Sequence, residues 1–403
     1  MRWIRRLAKL VMAGIAGLAL LVLLIWVEHK RATTLPEPAG PYAVGRVSYE
    51  WVNAAESDPL APAAGAKREV VAWIWYPAKV TASSQPAEYM PAAWRAALSK
   101  YVGPVMGMLT RDMAKVHAHS FADAEVLGAQ QVYPVVLMRA GLGALSTDYT
   151  TLAEDLASHG YVVVGFDAPY RTVTVVFSDG RVVTRRPEDN LETLSSEAAE
   201  KLAERLLVLW CDDAKFVTDQ LERLNQGEGD GRFRGRLDLE RLGMFGHSFG
   251  GAQAAEFCQE DARCKAGIDI DGRPFGKVIE EGLKRPFLFL MSDHHGEEKD
   301  PESQRILEQI QAIYNSLPTK EGAMVTIGGT NHFSFTDQIL LKNQMVIGTA
   351  RFFGVGGKTD GRRGLRITTA YVNAFFDRYL KGAPEGEWKK LQTEYPEATV
   401  EIR

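Results

Sequence analysis

The five residues 246–250 read GHSFG and fit the pattern G-x-S-x-G. In enzymes that carry this pattern, the serine sits in a strained turn between a strand and a helix, with its hydroxyl exposed above the end of a sheet. The two glycines remove side chains that would collide in such a turn. A short apolar segment precedes the motif and an alanine-rich segment follows it, as a strand and a helix would. The pattern therefore predicts Ser248 as a nucleophile, against the alternative of a glycine-rich bend without chemistry.

A serine hydroxyl reacts poorly at neutral pH unless a base removes its proton, and the base needs an acid to orient it. Folds with this turn supply the three groups in the chain order serine, acid, histidine. His332, in GGTNHFSF, follows the last predicted strand and precedes the closing helix, so we predict it to be the base. For the acid, Asp271 ends the segment AGIDID and Asp293 ends the next strand, FLFLMSD. Spacing alone does not choose between them.

Two backbone amides are needed to stabilise the oxyanion that forms during acyl transfer. One should follow the nucleophile directly, which indicates Phe249. The other should come from the loop after an early strand, which indicates Leu142 in RAGLGA. His247 lies inside the motif, and we expect it to point away from the reactive side of the serine.

Other chemistry has weaker support in the sequence. His294 and His295 follow a strand that precedes the last one, and we interpret them as surface-loop residues or a weak metal patch. We find no zinc-type cysteine pairing, no phosphate-binding loop and no dinucleotide fingerprint, so no cofactor and no metal are expected. The net charge of −4 does not favour a nucleic-acid partner. Cys258 and Cys264 either form a local disulfide or remain two buried thiols, and Cys211 is expected in the core.

The elements that must position these groups alternate between strands and helices. Apolar runs such as YPVVLMR and YVVVGFD are typical of strands buried on both faces, and amphipathic helical segments separate them. This alternation predicts an α/β architecture with a mostly parallel, doubly wound sheet. Residues 81–130 are predicted to be irregular or weakly helical, and VTVVFSDGRVVT a hairpin.

The N-terminus predicts a membrane anchor. Residues 10–27 carry no charge, and as a helix they would measure about 27 Å, close to the thickness of the hydrocarbon layer. Arg2, Arg5, Arg6 and Lys9 precede this span, which favours an N-terminus on the cytoplasmic side and export of the rest. A cleaved signal peptide is the alternative, although no small-residue cleavage site follows closely.

Several motifs together resemble the secreted platelet-activating-factor acetylhydrolases, which are calcium-independent serine esterases of the α/β-hydrolase fold. The similarity lies in GHSFGGA, GPYAVG, WYPA, HSFADA, YPVVLMRAGLGA and LASHGYVVVGFD, in this family's order, and spans roughly residues 40–380. It implies Asp271 as the acid, His332 as the base, and Leu142 and Phe249 as the oxyanion amides. Ala140 departs from the pattern, because the family usually has histidine there.

The resulting expectation divides the chain into a cytoplasmic basic segment (1–9), a signal-anchor helix (10–27), a linker (28–41), an α/β-hydrolase domain (42–382) and a charged tail (383–403). The expected activity is hydrolysis of carboxylic esters on the exported, periplasmic or extracellular side. The resemblance implies short or oxidised acyl groups of phospholipids as substrates. A dienelactone-hydrolase-like, amide-cleaving or polyester-cleaving enzyme remains the alternative, followed by an inactive binding protein. The sequence does not indicate an oligomeric state.

Overall fold

The β-branched and aromatic runs of the chain form one large mixed sheet. The computed structural model describes residues 2–186, 191, 194–293, 300–352 and 357–403, so the interpretation of His294 and His295 lies outside the described residues. The strands are β1 (Thr33–Thr34), β2 (Val44–Ser57), β3 (Lys67–Lys79), β4 (Pro86–Glu88), β5 (Val116–Ala122), β6 (Glu125–Val126), β7 (Tyr133–Arg139), β8 (Val162–Asp167), β9 (Thr174–Val176), β10 (Val182–Thr184), β11 (Leu237–His247), β12 (Cys264–Ile270), β13 (Phe287–Ser292), β14 (Gly322–Ile327) and β15 (Ala398–Ile402).

The centre of the sheet is parallel and its margins are mixed. The strand order is β1-β5-β2-β3-β8-β7-β11-β12-β13-β14-β15, with β4 beside β5 and β6 beside β3. The six adjacent strands β8, β7, β11, β12, β13 and β14 run parallel to one another. The flanking strand β3 pairs antiparallel with β8, and β15 pairs antiparallel with β14. Strands β9 and β10 form a separate antiparallel pair, as the hairpin pattern predicts. Because the central strands are parallel, their carboxyl ends meet at one edge of the sheet.

Helices cover both faces of the sheet. They are α1 (Arg2–His29), α2 (Ala92–Met108), α3 (Thr150–Ser158), α4 (Ser196–Gln226), α5 (Phe249–Glu260), α6 (Val278–Glu281), α7 (Pro301–Ser316), α8 (Gln338–Leu341), α9 (Gln344–Phe352), α10 (Gly361–Lys381) and α11 (Glu387–Glu394). The apolar faces of α3 and α10 pack in one hydrophobic cluster, and those of α4, α5 and α7 pack in the other. This is the doubly wound α/β-hydrolase arrangement, and the predicted fold class is confirmed.

Three regions contain more structure than the sequence patterns indicate. Residues 81–130 include α2, which Gly103 (φ 77°) and Pro104 interrupt, together with three short strands. The linker 28–41 includes β1, which pairs with β5. The tail 383–403 includes α11 and the edge strand β15. The cysteine alternatives are also resolved, because Cys258 and Cys264 form a disulfide between the end of α5 and the start of β12, while Cys211 is a buried thiol.

Helix α1 stands out from the rest of the chain. The most apolar 18-residue window of this helix has a mean hydropathy of 2.8, and none of that window is buried by the protein. Every side chain from Trp3 to Leu24 is exposed. Among the described residues, α1 alone is long and apolar enough to cross a membrane. A signal sequence near the N-terminus would have the same properties.

Candidate active site

Ser248 occupies a strained turn between β11 and α5. Its backbone has φ 58° and ψ −125°, a conformation that non-glycine residues rarely adopt. A Cβ at position 246 would overlap the Gly250 carbonyl, and a Cβ at position 250 would overlap the Arg139 carbonyl in β7. The two glycines of the motif are therefore required by close backbone approach, as the pattern predicts. The turn is held to the sheet by Ser248 N–H, which donates to the Ile270 carbonyl at 2.9 Å.

Asp271 and His332 meet at the same edge of the sheet. Asp271 follows β12 directly, and its Oδ2 lies 2.8 Å from His332 Nδ1. Because a carboxylate only accepts, Nδ1 carries the proton and Nε2 of the neutral ring has a free lone pair. Ser292 holds the carboxylate from the other side: its N–H donates to Oδ1 at 2.7 Å and its hydroxyl to Oδ2 at 3.0 Å. The acid is almost completely buried, whereas the His332 side chain is 41% exposed.

The alternative acid, Asp293, and the nearby carboxyl of Asp269 have different neighbours from Asp271. Asp293 Oδ2 accepts a hydrogen bond from Gly329 N–H at 2.9 Å and so supports the loop that leads to His332. Asp269 is completely buried beneath the turn, where its Oδ1 accepts from Gly272 N–H at 2.8 Å. Burial, followed by the nearby Asp271, raises the pKa of Asp269 well above its usual range. Asp269 thus supports the turn from below through its hydrogen bond with Gly272.

His247 connects the two loops that border the site. Its Nε2 lies 2.8 Å from the His332 carbonyl, which only accepts, so Nε2 carries the proton. Its Nδ1 then accepts from the Tyr149 hydroxyl at 2.8 Å, and the same hydroxyl oxygen accepts from Gly141 N–H at 3.2 Å. Burial, followed by the neighbouring His332, lowers the pKa of His247 to about 3. The ring is therefore neutral, and it orients the backbone of both loops.

The sequence-based expectation for His247 needs revision. Its ring centroid lies 4.4 Å from that of His332, and both rings border the same cleft. His247 therefore faces His332, the candidate base. Tyr149, its partner, has no motif of its own and lies 98 residues earlier in the chain. Within this network, His247 is the residue that lies in a recognisable sequence motif.

The two candidate oxyanion amides flank Ser248. Phe249 is the first residue of α5, where backbone amides lack intrahelical partners. Leu142 lies in the loop after β7, and a Cβ on its neighbour Gly141 would lie 3.2 Å from Ser248 Cβ. The loop thus passes close to the serine. Ala140, which replaces the family's histidine, is fully buried behind this loop.

A cleft of about 430 Å³ opens over these groups. Its lining is predominantly apolar, with one wall from α2 and the other from the loop after β14, and includes Leu98, Tyr101, Val102, Met106, Met113, Leu142, Leu145, Tyr149, Val173, His247, Ser248, His332 and Phe333. A larger hollow of about 800 Å³ lies between residues 36–39 and α10 and contains none of the candidate site residues. The cleft is therefore the place where a substrate would meet Ser248.

We find no cluster of metal-ligating side chains within the part of the chain that the structure describes. His117 and His119 lie on β5, and His119 Nε2 lies 3.0 Å from the Leu35 carbonyl, in a contact that fastens the linker. The structure thus assigns no ligand role to these two histidines.

Comparison with known proteins agrees with the motifs. The platelet-activating-factor acetylhydrolase of Cavia porcellus is 23% identical over 380 residues, which cover 86% of this chain and 78% of the relative. A probable 1-alkyl-2-acetylglycerophosphocholine esterase of Arthroderma benhamiae is 26% identical over 275 residues, covering 66% of this chain and 65% of the relative. A solved structure described as a ferulic acid esterase from Streptomyces cinnamoneus has a TM-score of 0.73 and 29% identity, covering 92% of this chain and 99% of its own.

All three similar proteins are ester hydrolases by name, so the predicted enzyme class is confirmed. A family model described as platelet-activating factor acetylhydrolase, isoform II, matches residues 27–394, which is most of the chain. The protein therefore belongs to the platelet-activating factor acetylhydrolase isoform II family.

Proposed function

We propose that this chain is a membrane-anchored, exported serine hydrolase in which Ser248 is the nucleophile, His332 the base and Asp271 the acid. The observation that carries the proposal is the 2.8 Å contact between Asp271 and His332, at the sheet edge where Ser248 is held at φ 58°. Asp293 is not assigned to catalysis, because its Oδ2 accepts from Gly329 N–H in the loop before the base. Four basic residues before the apolar helix support the orientation with the catalytic domain exported.

The reaction follows from these positions. His332 Nε2 takes the proton of the Ser248 hydroxyl while its oxygen attacks the ester carbonyl, and the amides of Leu142 and Phe249 donate to the resulting oxyanion. His332 then protonates the departing alcohol oxygen, which leaves the acyl group on Ser248. Water, activated by the same nitrogen, cleaves this acyl-enzyme and releases the acid. Asp271 remains ionised throughout and holds the imidazolium that forms twice in the cycle.

The substrate class that we propose is phospholipid with a short or oxidised acyl group. The relatives named platelet-activating-factor acetylhydrolase support it, as does the apolar lining of a cleft of about 430 Å³. A second candidate is an ester of a hydroxycinnamic acid such as ferulic acid, because the structural neighbour described as a ferulic acid esterase is 29% identical over almost its whole length. No cofactor is needed for either reaction.

Labelling of the full-length protein in detergent with a fluorophosphonate tests the mechanism. We expect labelling of the wild-type chain and of Ser83→Ala, an exposed loop serine that serves as the matched control. We expect none for Ser248→Ala, together with a loss of p-nitrophenyl acetate hydrolysis. Labelling of Ser248→Ala equal to that of the wild-type chain would show that Ser248 is not the nucleophile. A panel of phosphatidylcholines with graded sn-2 chains, compared with feruloyl esters, decides between the two substrate classes by kcat/KM.

A further inference from the structure

The end of α1 is bound to the catalytic domain through a set of polar contacts. Arg111 Nη2 lies 2.6 Å from Glu28 Oε1, and its Nη1 donates to the Glu28 carbonyl at 2.7 Å. His29 Nδ1 donates to the Thr110 carbonyl at 2.6 Å, and Lys30 Nζ to Asp112 Oδ2 at 2.8 Å. The Glu28 and Arg111 side chains are only 14% and 6% exposed, so water screens this ion pair less than an ordinary surface pair.

These contacts lie where the apolar span ends. The uncharged run stops at Val27, and the first half-buried residue of α1 is Ile25, whose carbonyl accepts a 3.4 Å hydrogen bond from Asn343 at the start of α9. All side chains from Leu10 to Leu24 are exposed. As the proposed membrane anchor, this helix has lipid around that stretch. The helix therefore leaves the hydrocarbon layer at the same residues, 25–30, at which it contacts the catalytic domain.

An exposed apolar surface lies on α2 and α9, two helices that α1 contacts, and on the loop that carries Phe333. We call it the rim, and define it by Tyr101, Val105, Met106, Phe333 and Val346, all of which are large hydrophobic side chains exposed outside the core. Val105 is 74% and Met106 59% exposed. Tyr101, Met106 and Phe333 also line the cleft. Clustered exposure of this kind is typical of a surface that meets lipid or protein.

A cation also lies on the rim. Lys342 follows α8 and forms an isolated β-bridge with Thr110, the residue that accepts from His29. Its Nζ lies 3.7 Å from the centroid of the Phe333 ring. Within the described ranges of the chain, no carboxylate forms an ion pair with Lys342. Half-buried amines beside an apolar surface suit the phosphate layer of a membrane.

We propose that the docked helix holds the catalytic domain in one orientation, with the rim against the lipid leaflet from which α1 emerges. The cleft then opens toward that leaflet, and its substrates are amphiphiles that enter from the same membrane. The chemistry and the membrane anchor rest on the proposed function, whereas the orientation of the domain is argued from the docking contacts and the rim. The bilayer is the occupant of the rim because α1, the proposed membrane anchor, contacts α2 and α9, the helices that carry Val105 and Val346.

A fluorescent label on the full-length protein tests the orientation without using activity. Val105→Cys places the label on the rim, and Glu240→Cys places it near the start of β11, away from the strand end that carries Ser248. Cys211 is buried and the other cysteines are paired, so the introduced thiol is the reactive one. In phosphatidylcholine vesicles, we expect nitroxide lipids to quench the label at 105 several-fold more than that at 240.

Quenching by aqueous iodide should be stronger for the label at position 240 than for the label at position 105. Equal lipid quenching at 105 and 240 would overturn the proposal. Protection of position 105 from iodide without quenching by lipid would also overturn it, because the rim would then face a second copy or another protein.

A second experiment breaks the docking and leaves the cleft intact. Glu28→Ala combined with Lys30→Ala removes the ion pairs with Arg111 and Asp112 and leaves the His29 contact and the cleft lining in place. Lys79→Ala combined with Glu125→Ala removes an exposed ion pair elsewhere as the matched control. The substrate is a phosphatidylcholine with a long sn-1 and a short sn-2 chain, present in the vesicles that contain the enzyme. Soluble p-nitrophenyl acetate reports the chemistry separately.

We expect the docking variant to lose about tenfold in lipid hydrolysis, because a fixed orientation raises the effective concentration of the cleft at the leaflet. Its rate on p-nitrophenyl acetate should stay within about twofold of wild type, as should both rates of the control. An unchanged lipid rate in the docking variant would overturn the proposal. Failure of the wild-type protein to hydrolyse either ester would instead contradict the proposed function, and the quenching experiment would still decide the orientation.

Discussion

Replacing Asp271 by asparagine changes one atom and tests the proposed catalytic arrangement directly. The aspartate accepts from three donors, which are Ser292 N–H, the Ser292 hydroxyl and His332 Nδ1–H. An asparagine has one acceptor oxygen and one donor amide group. If its oxygen faces Ser292 N–H, its NH₂ group faces His332 and forces Nδ1 to accept. His332 Nε2 then carries the proton and no longer removes one from Ser248.

The opposite orientation of the asparagine is unfavourable. It would turn the NH₂ group toward the buried Ser292 N–H, which leaves two donors facing each other at a cost of about 1–3 kcal/mol. The productive tautomer would then be populated in roughly one molecule in 5 to one in 150. The neutral amide also fails to stabilise the imidazolium. Together these effects predict a loss in kcat of about 10³–10⁴-fold, or about 4–5 kcal/mol of barrier.

The matched control is Asp293→Asn, because Asp293 Oδ2 accepts from Gly329 N–H and an asparagine oxygen replaces that acceptor. We expect this variant to keep kcat within about tenfold of wild type. The assay is steady-state hydrolysis of p-nitrophenyl acetate by the full-length protein in detergent, with thermal unfolding to verify that both variants fold. A kcat above one tenth of wild type for Asp271→Asn, or a larger loss for Asp293→Asn, would refute the assignment of the acid.

Three further predictions concern the support of the site. Tyr149→Phe removes the donor to His247 and should lower the free energy of unfolding by about 2–4 kcal/mol, measured by urea titration. Because the pKa of His247 in the folded protein is about 3, protonation of this histidine in the unfolded chain should lower the free energy of unfolding by up to about 1.4 kcal/mol per pH unit as pH falls from 6.5 toward 3. His247→Gln should abolish this pH-dependent contribution, and urea titrations at several pH values measure the difference. Gly251→Ala should lower the free energy of unfolding by about 1–3 kcal/mol, because its Cβ would overlap the Asp269 side chain. Gly348→Ala, where a Cβ would meet no atom, should stabilise the protein slightly, and thermal unfolding compares the two variants.

The sequence predicts the main strands and the order of Ser248, acid and His332 because these features are local. Periodicity identifies buried strands, and parallel strands bring their carboxyl ends together. Spacing alone leaves Asp271 and Asp293 open, since both end neighbouring strands. In the structure, Asp271 leaves β12 at φ 55° and faces His332, whereas Asp293 faces Gly329. That difference depends on how each chain turns after its strand, which no periodic pattern encodes.

Two other features escape sequence patterns for physical reasons. The apolar residues of α2 line a cleft and a surface, so they lack the regular spacing that packing against a core imposes, and Gly103 and Pro104 interrupt them. The contact between Tyr149 and His247 joins residues that are 98 positions apart. Neither residue carries a pattern that identifies the other as its partner.

The hydrogen-bond chain from Gly141 through Tyr149 and His247 to His332 also bears on how this site can vary. It connects the loop of Gly141 to the loop of His332, so the two loops support each other. A substitution at position 149 alone or at 247 alone therefore leaves a buried polar atom without its hydrogen-bond partner. Exchanges at the two positions are therefore expected to occur as compatible pairs. Transplanting the serine turn into another scaffold would require the tyrosine as well, because the motif by itself does not carry the support of its base.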